Sequence, residues 1–370
     1  MAAPPLCVLG ARTGSSLATR VITLLGADPG TESQLMEGKP DDNPKGFWEQ
    51  QPLVDLNDEL LAKLGGPWWD MPSLPLGWHR DPELDSLRDR ARSLVHELFP
   101  DGRQWVWKDP RASLTLPFWQ DVIGPMRYVV CTRSPLEVAA SLNARDPVVY
   151  PWRESTRVYF RLLREGLRHT SAADRIVVFY EDWFEDFDAQ LERLALFATG
   201  SPPSDSARED ARGFFESELR HHEAAEHKGE LDPEIQEGYA LLRAGTDESG
   251  RLDPGAERAI DSCWLALEER VADHMSDLRQ RSRAGWLLAQ ARQGHLADAT
   301  RAFENVSRAH AEALARVESL EAEVADLRLA LRERESQLAQ LHDWLGGMEG
   351  SLSWKLTAPL RAGKRLFTRP

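Results

Sequence analysis

A glycine-rich segment near the start of the chain has the residue types that bind a phosphate group. Gly10-Ala-Arg-Thr-Gly-Ser-Ser16 follows a short apolar run and precedes a helical pattern. At such a junction, backbone N–H groups and the helix dipole both favour an anion. Side-chain and backbone donors come from five residues: Arg12, Thr13, Gly14, Ser15 and Ser16. No lysine follows Gly14, so this is not a Walker A loop. The pattern favours anion binding over an ordinary strand–helix turn, which small residues also form.

A second cation precedes a later helical pattern. Arg133 follows an apolar run, Pro135 suits the first turn of the next helix, and Ser141 lies about two turns further on. Because arginine binds phosphate as a bidentate fork, Arg133 and Ser141 are predicted to converge on one phosphate. The alternative is an ion-paired arginine and a small serine used for helix packing.

A third cation, Lys108, ends the apolar run of Trp105-Val-Trp-Lys108. Ligands of open α/β sheets bind at the carboxyl ends of the strands. We therefore expect Arg12, Lys108 and Arg133 to lie along one edge of a sheet. Three cations at three strand ends of an acidic protein indicate an anionic ligand.

The apolar runs before these residues indicate the elements that position them. Four runs have the composition of buried strands, and each precedes a helical pattern: residues 6–9, 104–108, 127–132 and 175–180. Nearly continuous apolar strands that alternate with helices are typical of a parallel sheet covered on both faces. The predicted fold class is α/β, a parallel sheet flanked by helices.

With two further motifs, these residues resemble the bacterial sulfotransferase family. The added motifs are Lys45-Gly-Phe-Trp-Glu49 and Phe179-Tyr-Glu-Asp182, and the similarity spans about residues 5 to 200. The resemblance implies a P-loop-like fold and the transfer of a sulfuryl group from PAPS (3′-phosphoadenosine 5′-phosphosulfate) without a metal. It implies that residues 12–16 bind the 5′-phosphosulfate and that Arg133 and Ser141 bind the 3′-phosphate. Lys108 would stabilise charge on the bridging oxygen, and Arg12 would add to the catalytic charge.

The general base is assigned by comparison with two branches of the family. The cytosolic branch of the family has a histidine two residues after the strand-end lysine, where this chain has Pro110. The Golgi carbohydrate branch uses a glutamate after the first helix, and Glu49 matches it in type and approximate position. We therefore predict Glu49 as the base, against the alternative of a solvent-facing glutamate at the start of a helix. Asp109 is the second candidate and His79 the third.

Arg12 also departs from the family pattern. The cytosolic enzymes have a lysine at this position, and an arginine changes the donor geometry.

Composition limits the possible partners. The net charge is −15, which argues against general nucleic-acid binding. The three cysteines are far apart and suggest neither a disulfide framework nor a zinc site. With no signal-like start and no long apolar run, the expected location is cytoplasmic.

The C-terminal third has a helical pattern. Steps of three and four residues run from Leu296 to Leu345, interrupted by Arg334, and predict a coiled coil that joins a homo-oligomer, most simply a dimer. The alternative is a long helix that folds back on its own domain. The predicted division is a sulfotransferase-like domain over 1–245, a helical connector over 246–295, the coiled coil over 296–345 and a basic tail over 346–370. The tail resembles a segment of surface-glycan biosynthesis proteins. Its two interpretations are a segment that contacts a membrane face or a partner, and a disordered basic tail.

The sequence leaves alternatives open for the acceptor and for the overall activity. Four tryptophans near the predicted acceptor region favour a cell-envelope glycan or glycolipid, since indole faces suit sugar rings: Trp48, Trp68, Trp69 and Trp78. The alternative of core anchors applies to each of them. The competing functions are a nucleotide-dependent kinase and a non-catalytic coiled-coil scaffold.

Overall fold

The protein is described here from a computed structural model. The described residues are 3–38, 46–70, 73–100, 102–171, 173–215, 230–271, 331–348 and eight single positions after residue 315. The chain forms two compact units, Met1–Leu287 and Leu288–Pro370. Lys45, most of the predicted coiled coil and most of the basic tail lie outside the described residues.

Four parallel strands form the sheet of the first unit. They are β1 (Leu6–Leu9), β2 (Val106–Lys108), β3 (Arg127–Thr132) and β4 (Arg175–Phe179). The strand order is β2-β1-β3-β4, and every neighbouring pair is parallel. The α/β prediction is confirmed, with two strands shorter than their apolar runs: β2 begins at Val106 and β4 ends at Phe179.

Helices fill the connections between and after these strands. In chain order, the first of the described α-helices are α1 (Ser15–Leu24), α2 (Gln51–Leu64), α3 (Asp85–Leu98), α4 (Ala112–Ile123), α5 (Pro135–Arg145), α6 (Trp152–Thr170), α7 (Asp182–Glu185), α8 (Phe187–Thr199), α9 (Asp205–Phe214) and α10 (Pro233–Gly245). Residues 254–271 form a further helix, α11, and residues 331–348 form α12. Pro135 occupies the first turn of α5, as its fixed φ angle favours.

Alternate strand residues bury two separate cores, one on each face of the sheet. Leu6 and Val8 of β1 pack with α1, α8 and α9, whereas Cys7 and Leu9 pack with α2 to α6. This alternation follows from the two-residue period of a strand. The sheet is therefore the middle layer of an α/β/α arrangement.

The two central strands send their connections to opposite faces. The chain leaves β1 towards α1, whose Val21 belongs to one core, and leaves β3 towards α5, whose Val138 belongs to the other. A crevice forms at the carboxyl edge where neighbouring connections diverge, and open α/β sheets bind ligands there. The fold thus places the residues after β1 and β3 at a natural ligand site.

Helix α11 belongs to the same core as the sheet. Ile260, Trp264 and Leu267 are almost completely buried, and the Trp264 ring lies 5.8 Å from that of Phe160 in α6. The sequence division at residue 245 therefore separates residues that pack together, and the first unit extends to Leu287. Amphipathic periodicity identified this helix, but only the folded chain shows what its apolar face covers.

Helix α12 of the second unit lies in the predicted coiled-coil stretch. Four leucines at its seam positions are exposed in the single chain: Leu331, Leu338, Leu341 and Leu345. The remainder of the seam lies outside the described residues, so the coiled coil and the homo-oligomer stay predictions. None of the described helices is long and apolar enough to cross a membrane.

We expect Trp264→Ala to destabilise the first unit by about 3–5 kcal/mol, because it removes a buried aromatic side chain from the core. Leu265→Ala is the matched control, since Leu265 is adjacent but 52% exposed, and should cost less than about 1 kcal/mol. Urea unfolding measures both changes. Equal losses from the two variants would contradict the placement of α11 in the core.

Candidate active site

The loop between β1 and α1 has an alternating backbone that forms an anion-binding nest. Gly10, Arg12 and Gly14 have φ angles of 123°, 61° and 78°, while the two residues between them are not left-handed. Alternation of this kind turns successive N–H groups towards one concave point, where an anion binds. The φ angles of the loop are therefore compatible with a nest, and phosphate binding at this loop stays a prediction.

Both glycines of the nest are also needed for space. A Cβ on Gly10 would lie 2.2 Å from Thr13 Oγ1 and 2.6 Å from the Cys131 carbonyl oxygen. A Cβ on Gly14 would lie 2.3 Å from the ring of Tyr180. The nest thus packs directly on Cys131 near the end of β3 and on Tyr180 after β4, and any side chain at these two glycine positions would displace it.

The hydroxyl residues of the loop have local roles. Ser15 Oγ donates to the Gly10 carbonyl at 2.9 Å, and Ser16 Oγ donates to the Phe47 carbonyl at 3.3 Å. Thr13 Oγ1 is buried and has no hydrogen-bond partner among the described residues. The serine hydroxyl protons therefore hold the loop together, and the backbone N–H groups and Arg12 are its main anion donors.

Arg12 and Ser141, predicted to bind different phosphates of one ligand, are in direct contact. Arg12 Nε donates to Ser141 Oγ at 2.7 Å, which joins the nest to α5. Arg133 forms a buried ion pair with Glu137, and its guanidinium lies 4.5 Å from the centre of the Tyr180 ring. Arg133 is therefore ion-paired, as the alternative interpretation of the sequence predicted. The ion pair with Glu137 also fixes the Arg133 side chain beside the nest.

Lys108 and Glu49 form a buried ion pair at the end of β2. Lys108 is 4% exposed and Glu49 5% exposed. Lys108 Nζ contacts Glu49 Oε1 and donates to the Phe47 carbonyl at 3.0 Å. Glu49 is therefore not the solvent-facing glutamate of the alternative reading. It precedes α2, and its carboxylate lies against the strand-end ammonium.

Arg111, the last residue of the motif Trp107-Lys-Asp-Pro-Arg111 around Lys108, extends this charge cluster and had no predicted role. Its guanidinium lies 2.6 Å from Asp58, 3.2 Å from Asp109 and 3.8 Å from Glu49. Burial disfavours the charged form, but the carboxylates of Asp109 and Asp58 outweigh it and raise the pKa of Arg111. The sequence signal was the basic end of the Lys108 motif, while Asp58 belongs to no motif.

Asp109, the second candidate for the base, is fully buried and engaged on both oxygens. Its Oδ2 accepts from Asn57 Nδ2 at 2.7 Å, and its Oδ1 accepts from the Arg111 backbone N–H at 2.9 Å. Asn57 also accepts from Thr115 and Trp119, which anchors the network in the core. Asp109 therefore positions Arg111, and Glu49 stays the predicted base.

His79, the third candidate, lies elsewhere. Its imidazole is 3.7 Å from Asp121, near the end of α4 opposite to the Arg111 end. Burial lowers the pKa of His79, an effect that the Asp121 carboxylate opposes. Among the described residues, His79 makes no contact with Arg12, Lys108 or Arg133, the residues of what is called the cationic edge of the sheet.

The four tryptophans do not form one group. Trp48 packs against Arg20 and Phe214, and Trp78 lies edge-on to His79. Trp68 and Trp69 both pack on Tyr150, with ring centres 5.8 Å apart in each case.

Tyr150 is a buried residue that follows α5. Burial raises the pKa of Tyr150 to about 12, while the nearby charges of Arg145, Arg111 and Arg12 act to lower it. Of the four tryptophans, Trp48 lies nearest to the Lys108–Glu49 pair along the chain, because it directly precedes Glu49.

Comparison with known proteins gives structural likeness and no sequence match. No family model matches the chain, and no curated protein matches it. Similar solved structures include sulfotransferase STF9 from Mycobacterium avium, at 15% identity and a TM-score of 0.37, covering 72% of this chain and 77% of that one. Another is the sulfotransferase domain of the Synechococcus PCC 7002 olefin synthase, at 16% identity and a TM-score of 0.35, covering 70% and 94%.

A third is retinol dehydratase in complex with androsterone and the inactive cofactor PAP, at 18% identity and a TM-score of 0.31, covering 75% of this chain and 78% of that one. Likeness at these TM-scores carries no argument about activity. The chemistry has to be argued from the residues of the site.

We expect Gly10→Ala to weaken the affinity for inorganic pyrophosphate at least tenfold, because the added Cβ displaces Thr13 and deforms the nest. Gly26→Ala is the matched control: Gly26 also has a positive φ, 105°, but a Cβ there meets nothing within 4 Å. Calorimetric titration measures both affinities. An equal effect of the two substitutions would show that backbone strain, rather than the nest, governs binding.

Proposed function

We propose that this protein is a sulfotransferase that moves a sulfuryl group from PAPS to a hydroxyl group of an acceptor. The observation that supports it most is the meeting of three features at one sheet edge. These are the backbone nest with Arg12, the buried Lys108–Glu49 pair, and the Arg133–Ser141 region of α5. Together they offer an anion site, a cation for a leaving oxygen and a carboxylate for a proton.

The donor would occupy the nest and the start of α5. The N–H groups of the nest and the Arg12 guanidinium suit the 5′-phosphosulfate, since fixed donors stabilise an anion without reorganising. Arg133 and Ser141 suit the 3′-phosphate. The contact between Arg12 and Ser141 supports this assignment, because one ligand with two phosphate groups could reach both. Among the described residues, no cluster of three or more His, Cys, Asp or Glu side chains is arranged to hold a metal ion.

Transfer would require one bond to form and one to break at sulfur. The acceptor oxygen attacks sulfur, and the bond from sulfur to the bridging phosphate oxygen breaks. Lys108 stabilises the negative charge that develops on that bridging oxygen. Glu49 accepts the proton that the acceptor hydroxyl loses, which makes this weak nucleophile effective. The products are a sulfate ester and 3′-phosphoadenosine 5′-phosphate.

The acceptor we propose is a cell-envelope glycan or glycolipid. Trp68 and Trp69 support it, since they pack together on Tyr150 and indole faces suit sugar rings. The cytoplasmic location, the homo-oligomer and the contact of the basic tail with a membrane or partner stay predictions.

The native protein should bind 3′-phosphoadenosine 5′-phosphate about tenfold to a hundredfold more tightly than ADP, because a charged phosphate contact contributes about 1.5–3 kcal/mol. Ser141→Ala should reduce this preference, since the substitution removes one hydroxyl from the proposed site of the 3′-phosphate. Calorimetry measures the affinities. Equal affinity of the native protein for the two nucleotides would contradict PAPS as the donor and favour a kinase.

Glu49→Gln should retain nucleotide affinity and lower the rate of transfer by about 10²–10⁴-fold, because the amide cannot accept the acceptor's proton. Lys108→Ala should lower the rate severely, since its charge is needed most in the transition state. The assay is the transfer of radiolabelled sulfuryl groups from PAPS to a cell-envelope glycolipid extract. Glu59→Gln is the control, because Glu59 pairs with Arg90 on the surface. Normal transfer by Glu49→Gln would exclude Glu49 as the base.

A further inference from the structure

Two non-glycine residues of the described chain have a left-handed backbone, and both belong to the candidate site. Arg12 has a φ of 61° and forms part of the nest, and Trp48 has a φ of 60° and directly precedes Glu49. A left-handed backbone is disfavoured for residues with a Cβ, and for a bulky side chain it is a true outlier. Such strain persists only where the surrounding contacts hold it.

The Trp48 indole is held between two helices. The Arg20 guanidinium of α1 lies 4.8 Å from the ring centre, and the Phe214 ring of α9 meets the indole edge-on at 6.5 Å. Arg20 is carried by the helix that begins directly after the nest. The indole is thus anchored to the helix that presents the anion-binding loop.

The backbone on each side of Trp48 is held as well: before it, the Phe47 carbonyl accepts from Ser16 Oγ at 3.3 Å. The Glu49 carbonyl accepts from the Met36 N–H at 2.8 Å. The side chain of Gln50 donates to the carbonyls of Pro29 and Thr31 at 2.7 and 3.2 Å. Contacts before and after the strained residue therefore leave the chain little freedom to relax it.

The left-handed turn brings two oxygen atoms to one ammonium group. Lys108 Nζ contacts both the Phe47 carbonyl and the Glu49 carboxylate, which lie on either side of Trp48. In an extended strand, residues two apart are separated by about 7 Å, and carbonyls point along the sheet while side chains point out of it. An extended segment would keep these two oxygens apart, so the turn at Trp48 brings them to the same ammonium group. The contact of Lys108 Nζ with the Phe47 carbonyl and the Glu49 carboxylate is called the clamp below.

We propose that Trp48 is a positioning residue whose left-handed backbone, anchored by Arg20 and Phe214, holds the Phe47 carbonyl and the Glu49 carboxylate together on Lys108. The effect on rate rests on the proposed function, whereas the clamp on Lys108 does not. Trp48 acts through Glu49 and Lys108 and itself touches no reacting atom.

Three substitutions separate the backbone role of Trp48 from simple packing. Trp48→Ala removes the anchor and keeps the cost of the left-handed backbone, so the clamp should open. Trp48→Gly removes the same packing but adopts a positive φ without strain, so the clamp should persist. Trp48→Phe keeps an aromatic ring between α1 and α9 and should behave like the native protein. A residue needed for packing alone would give equal defects in the alanine and glycine variants.

The first measurement is independent of any activity. The native protein and each variant are treated with an amine-reactive ester, and modification of Lys108 is followed by mass spectrometry against exposed Lys63 as the internal standard. Lys108 should be modified about tenfold faster in Trp48→Ala than in Trp48→Gly, the difference that a left-handed backbone makes for a residue with a Cβ. Equal rates in these two variants, or a native rate in Trp48→Ala, would overturn the proposal. Trp78→Ala, at another half-buried tryptophan, should leave the Lys108 rate unchanged.

The second measurement separates this proposal from the proposed function. If the native protein transfers sulfuryl groups, Trp48→Ala should lower kcat about tenfold more than Trp48→Gly, with the KM for PAPS unchanged in both. Equal kcat values, or a loss confined to KM, would overturn the positioning role. If the native protein shows no transfer, the proposed function fails, and the Lys108 modification rates alone decide whether Trp48 sets the clamp.

Discussion

The buried ammonium of Lys108 is the charge on which the arrangement of the site depends. An ammonium that is withdrawn from water must be paired, since an unpaired buried charge costs several kcal/mol. Glu49 and the Phe47 carbonyl supply that pairing, so the segment before α2 has to cross the edge of the sheet at the end of β2. The strained backbone at Trp48 follows from this requirement.

The parallel sheet supplies the common edge at which the cations meet. Because β2, β1 and β3 are neighbours and parallel, Lys108 at the end of β2 emerges beside Arg12 and Arg133, which follow β1 and β3. The connections after β1 and β3 then diverge to opposite faces and leave a crevice between them. The nest fits this position only because Gly10 and Gly14 allow its backbone to touch Cys131 and Tyr180.

Three cations at or near the edge are held by carboxylates, while Arg12 donates to the Ser141 hydroxyl. Glu49 holds Lys108, Glu137 holds Arg133, and Asp58 with Asp109 holds Arg111. Such pairing fixes long side chains in one orientation, which is what electrostatic stabilisation of a transition state needs. An acidic protein can thereby present a local anion site, since the net charge of −15 is spread over the whole chain.

Local patterns in the sequence were enough to identify the sheet and the anion-binding loop. Strand residues such as Cys7 and Val129 belong to apolar runs that are typical of a sheet buried on both faces. The run of small residues from Gly10 indicates a sharp turn. The strand-end positions of Lys108 and Arg133 follow from the same runs. These features depend on neighbours in the chain, so the sequence alone determined them.

Contacts between distant residues were decided only by the tertiary structure. Asp58 and Arg111 are 53 residues apart, and Arg12 and Ser141 are 129 apart, so no spacing rule relates them. The same applies to α11: its apolar face was visible in the sequence, but its packing on α6 was not. Burial of Glu49 also depends on where a distant strand ends. The sequence determined which groups the chain carries, and packing of the two sheet faces determined which of them meet, because side-chain pairing at an edge requires both strands to be in place.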